Sequence, residues 1–91
     1  MIAQHRTFLV YGRVQGVFFR QSAQEQARRL GVSGYARNNP DGTAIIEAEG
    51  SAAALNALEV WCRKGPPAAH VTQVNVATGP MQHYTMFEVR R

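Results

Sequence analysis

The sequence predicts one α+β domain, a split β-α-β-β-α-β sandwich in which two helices cover one face of an antiparallel sheet. Three observations predict it. Hydrophobic periodicity alternates between 2 and 3.6 in the order strand, helix, strand, strand, helix, strand. The two middle strands are joined by Asn39-Pro40-Asp41-Gly42, a tight turn in which proline sets one φ and glycine permits a positive one. Finally, 91 residues make one core and not two, so residues 1–91 are expected to form a single domain.

Thr7 to Val14 reads as the first strand, with Phe8 and Val10 on one face and Leu9 and Tyr11 on the other. Apolar residues on both faces place it inside the sheet. After the turn Gln15-Gly16-Val17, residues Phe19, Ala23, Ala27 and Leu30 follow at spacings of four, four and three. That is one face of a helix, and Gly31 suits its C-terminal cap. Val32 to Arg37 and Thr43 to Glu49 read as the second and third strands. In the third, Ala44, Ile46 and Ala48 point inward, and Glu47 and Glu49 are expected to face solvent.

Ser51 is a natural N-cap for a second helix carrying Ala54, Leu55, Leu58, Trp61 and Cys62 as its apolar stripe. Gly65-Pro66-Pro67 stops it, because proline has no N–H for the helical ladder. Val71 to Thr78 makes the fourth strand, and Met86 to Arg90 is a candidate short fifth strand at an edge. Right-handed crossovers for both strand–helix–strand units interlock around the middle hairpin, which gives the ferredoxin-like arrangement. In it the first and second strands run parallel with the third between them. Arg20 and Asn38 then lie at the same sheet edge.

A composition of 45% hydrophobic and 18% charged residues is that of a folded globular chain, not a disordered one. The polar start Met1 to Arg6 lacks the apolar run of a signal peptide, and no stretch approaches the ~20 apolar residues of a membrane span. With Cys62 as the single cysteine, an intrachain disulfide is excluded, and a reducing, cytoplasmic location is expected. The net charge of +4 favours anionic partners, yet the basic pairs Arg28-Arg29, Arg63-Lys64 and Arg90-Arg91 are scattered and suit solvated faces. His5, His70 and His83 have no metal-ligand spacing and are expected at the surface. Cys62 belongs to a buried stripe, Ser22 and Ser51 have no partnered histidine nearby, and there is no Walker-type lysine loop.

The chemistry is concentrated in Gly12 to Arg20, a strand running through a turn into a helix. Amides at a helix N-terminus have no intrahelical partner and carry the positive end of the dipole, so they attract phosphate. Gly16 allows the backbone to curl around one anion. Arg20 adds a permanent charge and a planar fork that matches two phosphate oxygens. Taken alone, Gly16 is equally an ordinary turn glycine, Arg20 a solvated helix residue and Asn38 a turn residue.

Gly12-Arg13-Val14-Gln15-Gly16-Val17-Phe18-Phe19-Arg20 resembles the first signature of the acylphosphatases at every constrained position. Gly34-Tyr35-Ala36-Arg37-Asn38, with Gly42 and Gly50 beyond it, is similar to their second. Ala44 stands where the family usually has valine, an inward strand position that bears on packing and not on chemistry. With the element order and the near-terminal Phe87, the resemblance spans almost the whole chain and implies a free-standing enzyme of bacterial type.

By that resemblance Arg20 is the catalytic phosphate-binding arginine and Asn38 orients the attacking water. The amides of Gln15, Gly16, Val17, Phe18 and Phe19 form the phosphate cradle. The expected partners are an acyl phosphate and inorganic phosphate, with no metal, cofactor, nucleic acid or membrane, and the expected state is a monomer. The rivals are a ferredoxin-like module that binds phosphate or RNA without catalysis, and an accessory domain of the kind fused to larger maturation enzymes that handle carbamoyl phosphate. The third strand lacks the basic–glycine–aromatic signature of an RNA-recognition sheet.

Overall fold

The computed structural model describes residues 2–91 and shows β1 (Gln4–Arg13), α1 (Phe19–Leu30), β2 (Ser33–Asn38), β3 (Ala44–Gly50), α2 (Ala52–Lys64), β4 (His70–Gly79) and β5 (Phe87–Arg90). The strands form one sheet in the order β4-β1-β3-β2-β5. β1 pairs antiparallel with both β3 and β4, and β3 pairs antiparallel with β2, as the split topology requires. The fifth strand is present. It runs parallel to β2, with Gly34 opposite Phe87 and Arg37 opposite Arg90, so the complete sheet is mixed and not wholly antiparallel.

The inward face matches the alternation in the sequence. Phe8 and Val10 of β1, Ala36 of β2, Ala44, Ile46 and Ala48 of β3 and Phe87 of β5 are buried with Phe19, Ala23 and Ala27 of α1 and Leu55, Leu58 and Cys62 of α2. α1 lies over β2 and β5, and α2 over β4 and β1. Each buried leucine here stabilises the fold by roughly 1.5–3 kcal/mol. Ser51 Oγ accepts the Ala54 amide at 3.1 Å and caps α2, and burial pushes the Cys62 thiol far above its usual range. At Gly34 a Cβ would stand 1.8 Å from the Glu47 carbonyl oxygen, so only glycine lets β2 approach β3 there.

The opposite face departs from expectation at two residues. β1 begins at Gln4, three residues earlier than predicted, and this brings His5 into the sheet. His5 is only 7% exposed and Glu49 only 3%, not the surface residues that single-residue polarity suggests. His5 Nδ1 lies 2.7 Å from Glu49 Oε2, and its Nε2 lies 2.7 Å from Glu47 Oε1. The chain after β4 closes over them: Glu49 accepts the amides of Gln82 at 2.5 Å and Tyr84 at 3.1 Å, while Glu47 accepts the Thr7 hydroxyl. Burial alone draws the His5 pKa down, but the hydrogen bonds to Glu49 and Glu47 outweigh it and hold the imidazole above its usual range. For Glu49, burial draws the pKa up, and the Gln82 amide, His5 and the Tyr84 amide together hold it below the usual range.

A raised folded-state pKa means that the imidazolium stabilises the fold fully below the unfolded value of 6.5, and that this stability is lost as pH rises through the folded value. The depressed Glu49 contributes above its unfolded 4.5 and loses that contribution on acidification through its lower folded value. His5→Gln is therefore expected to cost the most stability near pH ~6 and progressively less toward pH ~9. Thermal unfolding of both proteins across that range checks it; a pH-independent gap between the two melting curves would remove the charged-histidine assignment.

Candidate active site

The loop between β1 and α1 is shaped by two positive-φ residues, Gly16 (φ 72°) and Phe18 (φ 61°). Nothing lies within 4 Å of a Cβ built on Gly16, so glycine is needed there for backbone conformation and not for space. Phe18 is the N-cap of α1 and supplies no side-chain cap, and the first turn holds no acidic residue. The first helical bond runs from the Ser22 amide to the Phe18 carbonyl. The earlier amides of the turn have neither a capping oxygen nor a carboxylate competing for them, which suits them to an anion.

A cleft of ≈ 180 Å³ opens at this helix end, lined by Val14, Gly16, Phe18, Phe19, Arg20, Gln21 and Asn38. Drug-sized ligands occupy sites of about 300–1,000 Å³, so this space suits a group the size of a phosphate. A larger hollow of ≈ 510 Å³ lies between the helices beside Trp61, Lys64 and Pro66, without the loop residues, Arg20 or Asn38. Among the described residues no group of three His, Cys, Asp or Glu side chains is placed to hold a metal ion.

The structure brings Arg20 and Asn38 to one cleft, from α1 and from the last position of β2. Arg20 Nη1 donates to the Arg90 carbonyl at 2.8 Å, which ties the guanidinium to the end of β5. The other guanidinium N–H groups have no protein acceptor among the described residues. Among the described residues, Asn38 Oδ1 is the one buried side-chain nitrogen or oxygen atom without a hydrogen-bond partner. A buried amide oxygen left unpaired costs ~1–3 kcal/mol, and such a group in a native fold calls for an explanation.

Of the five expected cradle residues, Gly16, Phe18 and Phe19 line the cleft. The Val17 side chain packs into the core, which anchors the loop from below. The Gln15 side chain has a task of its own, which its place in the motif did not reveal. Its Nε2 donates to the Asn39 carbonyl at 2.7 Å and to the Thr43 carbonyl at 3.0 Å, binding the loop to the β2–β3 hairpin. That hairpin is itself rigid: Thr43 donates to Asp41 Oδ1 through both its amide at 3.0 Å and its hydroxyl at 2.6 Å. The same Thr43 hydroxyl oxygen accepts from Asn39 Nδ2 at 3.0 Å. Asn38 therefore sits at the root of a locked turn, and the only sequence signal for the tether was a long amide side chain between the core residue Val14 and the turn glycine Gly16.

The acylphosphatase sequence profile matches residues 6–89, which include both the loop and the β2–β3 hairpin. The chain belongs to the acylphosphatase family. It is 53% identical over 83 residues to an acylphosphatase of Anaeromyxobacter dehalogenans, an alignment covering 90% of this chain and 89% of that one. Among solved structures it is similar to an acylphosphatase from Coxiella burnetii, with a TM-score of 0.93 and 34% identity over 97% of this chain and 93% of that one. The acylphosphatase from Bacillus subtilis gives 0.92 and 32%, over 99% of this chain and all of the other. As an acylphosphatase-family domain, the present chain has no helix among the described residues long and apolar enough to cross a membrane.

Proposed function

We propose that this chain hydrolyses acyl phosphates to a carboxylate and inorganic phosphate, without a metal ion, as a cytoplasmic monomer with no nucleic-acid partner. The observation that carries the reading is that Arg20 and Asn38 line one cleft at the uncapped start of α1, with the Asn38 side-chain oxygen left without a protein partner. Family membership supplies the substrate class.

The phosphoryl group lies against the amides of the loop from Gln15 to Phe19, with Arg20 on its equatorial oxygens. A loose phosphoryl-transfer transition state mainly needs in-line positioning and stabilisation of charge on three oxygens. Asn38 Oδ1 accepts a hydrogen bond from the nucleophilic water and aims its lone pair at phosphorus. The new O–P bond forms as the bond from phosphorus to the carboxylate oxygen breaks, and the carboxylate leaves with that electron pair. One water proton stays on the new P–OH group and the other passes to a phosphate oxygen. The leaving carboxylate is already a weak base, so no general acid is required. Anchoring by Arg90 and by the Gln15 tether holds these groups before substrate arrives, and such preorganisation is where electrostatic catalysis is strongest.

Benzoyl phosphate is expected to be hydrolysed by the purified chain at the same rate with and without excess chelator, inorganic phosphate appearing in step with benzoate. Activity abolished by chelator would transfer the charge-stabilising role from Arg20 to a metal. An RNA-binding role is poorly supported, since Tyr35 on the outer sheet face is engaged by Arg90 at 4.0 Å and by the edge of Tyr84 at 5.9 Å.

A further inference from the structure

We infer that Phe18 is the acyl-group platform of this site, selecting acyl phosphates with flat aromatic or extended apolar acyl groups over short ones; this rests on the hydrolysis proposed above. Two adjacent phenylalanines behave in opposite ways. Phe19 is buried, its ring 5.3 Å from that of Trp61, whereas Phe18 is 74% exposed and lines the cleft beside Arg20 and Asn38. An isolated exposed aromatic would be unremarked on most surfaces, but this one also holds a left-handed backbone, φ 61° and ψ 24°.

A residue with a Cβ pays for that conformation, and strain of this kind gathers at ligand sites. Glycine would give the loop the same curl without cost, as it does at Gly16. The curl accounts for the dihedral angle and leaves the ring unexplained. The ring also gains nothing from the core, so its use lies outside the folded chain.

The size of the cleft says what that use is. Space of ≈ 180 Å³ lined by Arg20, Asn38 and the loop takes the phosphate, and the acyl group has to project from the mouth. Phe18 is the large exposed apolar side chain on that rim. An aroyl group stacks on it, an alkyl chain lies across it, and an acetyl group is too short to cover it. Contact made equally in ground and transition states lowers KM and leaves kcat alone, so the preference falls on KM.

The test compares benzoyl phosphate with acetyl phosphate in the parent, Phe18→Gly, Phe18→Asn and Phe18→Tyr proteins. Taking the ratio of the two kcat/KM values within each protein cancels any shared effect on the loop amides. Phe18→Gly and Phe18→Asn both tolerate the left-handed backbone, and each is expected to lower the benzoyl-to-acetyl ratio ~3- to 10-fold through KM for benzoyl phosphate, the size of one aromatic contact. Phe18→Tyr keeps a ring and is expected to keep the ratio. An unchanged ratio in the glycine and asparagine variants, with both substrates still hydrolysed, overturns the platform and leaves the hydrolase reading standing. Failure of the parent to hydrolyse either substrate overturns both.

Discussion

Arg20→Lys is expected to lose ~10²–10³-fold or more in benzoyl phosphate turnover, the cost of losing a preorganised charge-stabilising donor. Lysine keeps the positive charge but offers a single ammonium with no planar fork. In the structure the arginine has two tasks at once, since Nη1 is committed to the Arg90 carbonyl while the rest of the guanidinium faces the cleft. One ammonium cannot hold the end of β5 and two phosphate oxygens in the same geometry. The fold is expected to survive, because the bond to Arg90 is exposed and such a bond contributes only about 0.5–1.5 kcal/mol. Steady-state kinetics beside thermal unfolding separate the two effects. Parent-like turnover in a folded Arg20→Lys protein would remove Arg20 from the chemistry.

Asn38→Ala is expected to give a different signature: turnover down on the order of 10²-fold, inhibition by inorganic phosphate retained, and stability equal to or above that of the parent. The size follows from what misplacing a reacting group by ~1 Å costs. The sign of the stability change follows from Asn38 Oδ1, which is buried without a protein partner. Removing it relieves a desolvated polar atom, and a chain that keeps such an atom sacrifices stability for the site. A variant with weakened phosphate inhibition and normal turnover would make Asn38 a phosphate ligand and not the holder of water. Measuring both constants and the melting temperature on one preparation decides the matter.

These two residues also show how far the sequence reached. The strand–turn–helix context of Arg20 and the topology that carries Asn38 to it are both products of local periodicity and one hairpin turn, which short-range rules describe well. His5 and Glu49 show the opposite. Each has the polarity of a surface residue, and their burial depends on each other, on Glu47 across the strand pair and on a segment more than 30 residues away in the chain. Single-residue polarity carries no information about a partner that is distant in sequence. The same blindness hid the Gln15 side chain, whose acceptors are the carbonyls of residues 24 and 28 positions further on.

The sequence by itself determined the α+β order, the inward faces of the strands, the Gly31 cap of α1, the Ser51 cap of α2 and the two motifs that place the chain among the acylphosphatases. All of these are set by side-chain type and spacing within a few turns of chain. Only the tertiary structure decided the rest. It laid β5 parallel to β2, so that the Arg90 carbonyl could hold Arg20. It closed the chain after β4 over the hydrogen-bonded His5, Glu47 and Glu49 side chains on the far face. It also turned Phe18 outward while its neighbour went into the core. Each of these depends on which distant groups become neighbours once the sheet closes, and that is settled by packing and hydrogen-bond satisfaction across the whole domain.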